Sequence, residues 1–330
     1  MTNLSLLNDN NKSKRFYVLK FFINYAFYFV FLLALIYFSL TNKEFYTVSN
    51  ISTMLLQSAP YMFVICGLSL VIISGDFDIS IGSVAFISVS LGALAMEMGF
   101  ANTLTGVFII LATGAFLGFI NGVLITRLKI PAFIVTLGVL IGGRGLGLTL
   151  IAEKGYIYIP DSLSRLSKMK VGPIFLEVII AIILLTVIQI YLKRSAFGIK
   201  IFAIGNNEKA AQNIGINVRT IKLILFTLSG FFASLGGLVY LTQVGNVHTQ
   251  FANGWEFTAI SMVVIGGISL YGGIGSIVPG ALMGVILIIM IDNGLNIIGA
   301  SPYLYPFIKG LIIFVAIFAD SFKNLYLKRR

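Results

Sequence analysis

Charge is what this sequence has least of. Asp, Glu, Lys and Arg make up 11% of the 330 residues, against roughly 25% in soluble domains. Hydrophobic residues make up 58%, more apolar surface than a soluble chain of this length can hide. A soluble globular protein is thereby excluded, and a bilayer-embedded chain needs no such hiding. Cysteine is almost missing: Cys66 stands alone, so there is no intramolecular disulfide framework and no cysteine metal site. His248 is the sole histidine, which argues against a histidine-rich zinc site or proton relay. No nucleophile–base constellation is present either, so no catalytic residue and no metal ligand is assigned. No G-x-x-x-x-G-K-[ST] phosphate loop occurs, so no ATPase is fused to the chain. "GGRGLG" (142–147) is glycine-rich but lies in an apolar run with no adjoining strand. Small residues there suit close helix packing.

What charge there is leans basic, with a formal net charge of +11. The basic residues form no single patch or stripe, which argues against nucleic acid as a partner. They fall in short clusters between apolar runs, the distribution of the positive-inside rule. A spanning helix needs roughly 20 mostly apolar residues. Ten runs meet that requirement, at about 21–40, 54–74, 79–98, 103–126, 131–152, 174–192, 221–243, 256–272, 277–298 and 303–320. The first is too long for a signal-peptide core and lacks a small-residue cleavage site after it, so it reads as an uncleaved span. Ten spans put both termini on one side. On that topology sixteen basic residues fall on the terminal side and five opposite, with Arg144 and Lys309 in or at the edges of spans. The termini are therefore expected in the cytoplasm. The predicted fold class is an all-α integral membrane protein of ten transmembrane helices. It divides into a cytoplasmic tail 1–20, a transmembrane domain 21–320 and a basic cytoplasmic tail 321–330. Two polar segments interrupt the domain, an outer loop at 153–173 and a cytoplasmic loop at 193–220.

A weak internal repeat is visible. "VIISGDFDISIGSVAFISVSLGAL" (71–94) resembles "VVIGGISLYGGIGSIVPGALMGVI" (263–286). Each reads as a span, a Gly-rich break, Gly-Ser and a second span. Transporters built from repeats often place discontinuous helices near the substrate path.

The loop 193–220 carries a short helix in "NNEKAAQNIGI". Asn206 or Asn207 can cap its N-terminus, Glu208 sits at the positive end of its dipole, and Gly215 suits the left-handed position after its end. A helix this short is unstable alone in water. It must pack either on its own bundle or on a partner.

Around this loop the sequence becomes recognisable. "FGIKIFAIGNNEKAAQNIGINVRTIKLILFTLSGFFASLGGLVY" resembles the cytoplasmic loop and following helix of ABC-importer permeases of the ribose/simple-sugar family. "GDFDISIGS" is similar to that family's "GGIDLSVGS". "LKIPAFIVTLG", "AISMVVIGGISLYGGIGSIVPGALMGVILI" and "DNGLNIIGASPYLYPFIKGLIIFVAIFAD" match further motifs in order, so the resemblance runs from about residue 50 to 320. It implies the inner-membrane permease subunit of an ATP-driven importer for a monosaccharide, ribose first. A nucleoside, an autoinducer-type furanose or an amino acid are the alternative solutes. It implies a separate cytoplasmic ATPase, which uses ATP and Mg, while this chain binds no cofactor. That ATPase would dock on Gly205, Asn206, Asn207, Glu208, Lys209, Ala210 and Gly215. An extracytoplasmic binding protein would deliver the solute, and a second permease subunit would complete the pathway. Against this stands an ion-coupled secondary transporter, with Asp76 and Asp78 as ion ligands.

The remaining candidates lie in or near spans. Asp78, Ser80, Gly82 and Ser83 sit in the family motif, while Asp76 stands where the family has Gly. Asp78 or Ser80 suits the N-cap of the following span, and Gly75 suits the end of the preceding one. These residues either break and cap helices or contribute to the solute path or gate, as do Asn121, Asn293 and Asn296. Gln57, Gln189 and Asp292 are other polar groups in spans. Arg144, midway along its span, must face the bundle interior or snorkel. Trp255 and Glu256 are expected at the outer interface, where Trp is enriched.

Overall fold

The structure is a computed structural model and describes residues 30–151, 155–301 and 303–327. The tail 1–20, the start of the first expected span, Lys154 and the last three basic residues lie outside the described residues. The described chain is almost entirely helical. The helices are α1 (Val30–Thr41), α2 (Val48–Ile73), α3 (Ile81–Glu97), α4 (Thr103–Thr126) and α5 (Ala132–Ile151). After the short turn α6 (Asp161–Ser164) come α7 (Leu176–Arg194), α8 (Ala196–Asn206), α9 (Glu208–Asn213) and α10 (Val218–Val244). The chain closes with α11 (Trp255–Ile265), α12 (Leu282–Ile297) and α13 (Leu304–Leu327). Among the described residues six helical segments are long and apolar enough to cross a membrane: α2, α4, α5, α7, α10 and Ile277–Ile297, which runs into α12. Shorter apolar helices include α1, α3, α8 and α11.

Local chemistry sets the helix ends. Thr47, Asn102, Ser195 and Asn217 are N-caps whose side-chain oxygens accept first-turn N–H groups of α2, α4, α8 and α10. Each bond satisfies a donor that has no partner within its own helix. Gly245, with φ +80°, ends α10 in the left-handed conformation that only glycine adopts without strain.

The helices are not equivalent in burial. In α2, 83% of the apolar stretch is covered by protein, against 28% in α4, α5 and α7. α2 is thus a central helix, and the other three present broad apolar faces outward, as lipid contact requires. α10 packs along α4, α2 and α3. Its approach to α4 is backbone to backbone. A Cβ on Gly230 would lie 2.2 Å from the Gly114 carbonyl oxygen, and one on Gly118 would lie 2.3 Å from that of Phe226. Lipid tails are as apolar as leucine, so close van der Waals fit rather than water exclusion holds such a crossing together.

Several expectations are corrected. The loop 193–220 holds two helices rather than one, because α8 buries Gly198, Ile201 and Ile204 against the bundle. The span expected at 256–272 is helical only to Ile265. Beyond it Gly267, Gly272, Gly273 and Gly275 all have positive φ, which ends helical hydrogen bonding. Of the "GGRGLG" glycines, Gly143 packs on Ser83 and Ile87 and Gly147 on Phe86, whereas Gly142 and Gly145 face open space. Strands of the outer loop pair with segments beyond it. β1 (Tyr156–Tyr158) pairs with β4 (Asn246–His248), and β2 (Lys170–Val171) with β3 (Ile174–Phe175), all antiparallel.

Gly230→Val tests the crossing. It is expected to overpack the α4–α10 contact and cost about 1–3 kcal/mol or more, read as a lowered unfolding temperature of the purified protein in detergent. Gly142→Ala, which meets nothing, should leave that temperature unchanged.

Candidate functional site

The motif "GDFDISIGS" is a break between two helices: Gly75 is exposed, Asp76 and Phe77 are half-buried, and residues 78–83 are buried. α2 ends at Ser74, and Gly75 turns the chain with φ +87°. Asp78 then folds back on its own segment. It accepts the Ser80 N–H at 2.9 Å and the Ser80 hydroxyl at 2.6 Å. Its second oxygen accepts the Ser229 hydroxyl of α10 at 2.7 Å. Ser80 Oγ in turn accepts from the Asn121 amide of α4 at 3.0 Å. Asp78 is 1% exposed, and Ser80, Asn121 and Ser229 are fully buried. The four side chains join α3, α4 and α10 across the middle of the fold. Ser80 is the residue that precedes α3, but it makes no capping bond with its side chain, which is spent on Asp78.

The two arms of the internal repeat meet at this break. The Gly273 N–H donates to the Ile73 carbonyl at 2.8 Å. Gly205, at the end of α8, lies in the same junction: a Cβ there would be 1.9 Å from the Ile73 oxygen and 2.4 Å from the Gly273 nitrogen. Backbone from α2, α8 and the segment after α11 thus touches at one point, and no side chain larger than hydrogen fits. Asn206 adds to it, donating to the carbonyls of Phe202 and Gly273. It is Asn207 that caps α9, accepting the Ala210 N–H at 3.0 Å. Glu208, Lys209 and Ala210 are exposed on α9, and Gly215 follows it with φ +83°.

A three-charge bridge spans the same end of the bundle. Lys222 Nζ of α10 lies 2.9 Å from Asp76 Oδ2 and 2.8 Å from Glu208 Oε2. Burial raises the Asp76 carboxyl above the ordinary carboxylate range, opposed by the Lys222 ammonium. Sequence reasoning missed this bridge. The signal available was a lone lysine in the first turns of an apolar helix.

On the other side of Gly82 and Ser83 a cavity of about 460 Å³ opens between α3, α5 and the segment before α11. Its polar lining comes from Ser83, Arg144, Asn253 and Glu256. Arg144 faces protein rather than lipid. Its guanidinium donates to the carbonyls of Phe251 and Thr249, each at 2.6 Å, and lies 4.4 Å from the Phe86 ring centre. Glu256 rests where a Gly82 side chain would be: a Cβ there would lie 2.4 Å from Glu256 Oε2 and 2.8 Å from the Ala252 carbonyl. Ser83 Oγ donates to the carbonyls of Ser80 and Val139. Trp255 and Glu256 are buried, at 6% and 5% exposure, so they face protein rather than lipid headgroups. Trp255 packs with Tyr61 and Tyr240, and Tyr240 with Phe251. The cavity itself has an apolar wall of Leu140, Ile141 and Leu148 around a few polar groups, the usual make-up of a small-molecule pocket.

Other expected path residues lie elsewhere. Asn293 exchanges two 2.9 Å hydrogen bonds with Asn50 of α2, and Asn296 is exposed near the end of α12. Gln189 of α7 accepts the N–H groups of Ile277 and Val278, fastening the kinked entry to α12. Asp292 forms an ion pair with Lys309 of α13 at 2.8 Å. Gln57 is exposed.

Residues 50–317 match the protein family described as "Branched-chain amino acid transport system / permease component". Curated relatives include the autoinducer 2 import system permease protein LsrC of Photorhabdus luminescens. It is 32% identical over 288 residues, 86% of this chain and 85% of the relative. The LsrC of Yersinia pseudotuberculosis is 33% identical over 273 residues, 82% of this chain and 76% of its own length. No solved structure matches the chain.

The Asp78 cluster generates a stability prediction. Asp78→Ala leaves the Ser80 N–H and the Ser229 hydroxyl without acceptors in a dry site, at about 1–3 kcal/mol per group. Folded yield and unfolding temperature should both drop, and Asp78→Asn, which keeps an acceptor, should be the milder change.

Proposed function

The chain belongs to the family of permease components described for branched-chain amino acid transport systems, as a simple-sugar-type ABC importer permease of the bacterial inner membrane, and from that premise we propose that it moves an autoinducer-type furanose. One observation carries the solute. Relatives that align over more than four-fifths of this chain include permeases named for autoinducer 2 import. Ribose, the first expectation from the motifs, has no such support.

The proposed arrangement is mechanical. Ten spans cross the membrane with both termini in the cytoplasm. The solute passes through the cavity of Gly82, Ser83, Arg144, Asn253 and Glu256. Hydroxyl groups suit this lining: Glu256 and the Asn253 carbonyl accept, Arg144 and the Asn253 amide donate, and Leu140, Ile141 and Leu148 offer apolar wall. Asp78, Ser80 and Asn121 hold the wall of that cavity from behind, and Asn293 and Asn296 stand apart from it. A second permease subunit completes the pathway, and an extracytoplasmic binding protein delivers the solute. A cytoplasmic ATPase supplies ATP and Mg chemistry and docks on α9 and its flanks, Gly205 to Gly215. No covalent step falls to this chain, and none of its residues is assigned to a cofactor.

The test is reconstitution in vesicles with the partner ATPase and binding protein. ATP-dependent uptake of the autoinducer furanose is expected, with ribose taken up at least tenfold more slowly. Uptake driven by an ion gradient, by this chain alone, would overturn the importer reading in favour of a secondary transporter. Gly82→Val and Glu256→Gln should each lower ATP-dependent uptake at least tenfold while the ATPase still co-purifies. Full uptake by both would remove the cavity from the path.

A further inference from the structure

α9 is tied to the α2–α3 break in two ways. The first is the glycine junction of Gly205, Ile73 and Gly273, which is rigid because backbone meets backbone. The second is the charge bridge through Lys222. Its three members come from three separate elements: Asp76 from the break, Glu208 from the first turn of α9, and Lys222 from the first turns of α10. They differ in cover. The side chains of Lys222 and Asp76 are 11% and 15% exposed, while that of Glu208 is 46% exposed. Glu208 is further steadied by the Gln212 amide on its other oxygen at 3.2 Å. Beside the bridge lies a cavity of about 430 Å³, whose other charged lining groups are Lys129 and Arg219.

We propose that Lys222 is a positioning residue of the transport cycle, a charged latch that couples displacement of α9 to the α2–α3 break. The proposal rests on the reading of α9 as the ATPase-docking element. The asymmetry of burial sets how the latch works. An ion pair with a covered partner resists separation, because the charge left behind would be buried alone. An ion pair with an exposed partner opens at little cost, because water replaces it. The latch therefore opens at Glu208 and stays closed at Asp76. The neighbouring cavity gives Glu208 room to withdraw, and Lys129 and Arg219 on its wall are the cations it meets next. Lys222 remains with the break throughout. Until the latch opens, displacement of α9 draws through Glu208 and Lys222 on the short segment that carries Asp78, Ser80 and the cavity-lining Gly82 and Ser83. The glycine junction holds the two elements in register while the charge bridge reports their separation.

The test uses the full permease with its ATPase and binding protein in proteoliposomes. Two quantities are measured together, ATP hydrolysed and furanose taken up, and their ratio is the readout. Lys222→Met and Asp76→Asn are each expected to lower uptake per ATP at least fivefold in complexes that still contain the ATPase. Lys222→Arg should restore at least half of the wild-type ratio. The double variant Asp76→Asn/Lys222→Met should be no worse than Lys222→Met alone, since Lys222→Met already breaks the ion pair that Asp76→Asn removes. An unchanged ratio in Asp76→Asn, or a double variant whose losses multiply, overturns the latch. If Lys222→Met does not fold, the ratio for Asp76→Asn decides by itself. The docking reading fails separately. A Lys209→Cys variant in a Cys66→Ala background should cross-link to the ATPase. Absence of that cross-link in an active complex overturns the docking reading, whatever the ratios show.

Discussion

A carboxylate taken out of water must have its lone pairs filled, and Asp78 is the place where this fold meets that demand. Its oxygens are filled by the Ser80 backbone and hydroxyl and by the Ser229 hydroxyl. The first two bonds fix the turn that aims α3 after α2. The third pins that turn to α10. Through Ser80 the same cluster reaches Asn121 and so α4. A charged group without these partners would not tolerate 1% exposure. The geometry of three helices therefore follows from satisfying one side chain.

Around this centre the bundle is held by close approach. Backbone meets backbone where Gly230 crosses Gly114, and again where Gly205 meets Ile73 and Gly273. The two crossings serve different ends. The first lies between helices and locks the body of the bundle. The second lies at its edge, where the two arms of the internal repeat and the end of α8 converge. α9 begins three residues after Gly205, so whatever moves α9 acts directly on that junction. Polar groups elsewhere in the bundle also tie elements together. The Asn50–Asn293 pair, the Gln189 contact to Ile277 and the Asp292–Lys309 ion pair each join two helices. Their role is attachment.

The cavity beside Gly82 is the exception, because its polar groups converge on space. Arg144 is held in place by two backbone carbonyls and a ring, and Glu256 by the gap that glycine leaves. Both are oriented by the protein itself, which would lower the ordering cost of the proposed solute binding. The segment 74–83 thus has two faces. One carries Asp76 toward α9 and Lys222, and the other carries Gly82 and Ser83 toward the cavity. A short break that faces both α9 and a polar cavity suits the proposed importer, in which force on one side is felt at the other.

The sequence by itself determined the class of protein. Scarce charge, long apolar runs and clustered basic residues leave no soluble alternative, and a turn-forming break shows as Gly75 and Asp78. The Asn-rich start of α9 and its closing Gly215 were also legible, since capping chemistry is local. The tertiary structure decided the rest. α8 looked like loop because its apolar face needs the bundle to make sense. The span at 256–272 looked continuous because hydropathy does not register the positive φ of Gly267 or Gly272. That Trp255 and Glu256 face protein could not be read, because burial by neighbours is invisible in a string. Asp76 finds Lys222 146 positions later, and Arg144 finds the Phe251 carbonyl 107 positions later. Capping and hydropathy act within a few residues and can be read along the chain. Ion pairs, cavities and glycine crossings join distant residues, and they exist only once packing has brought those residues together.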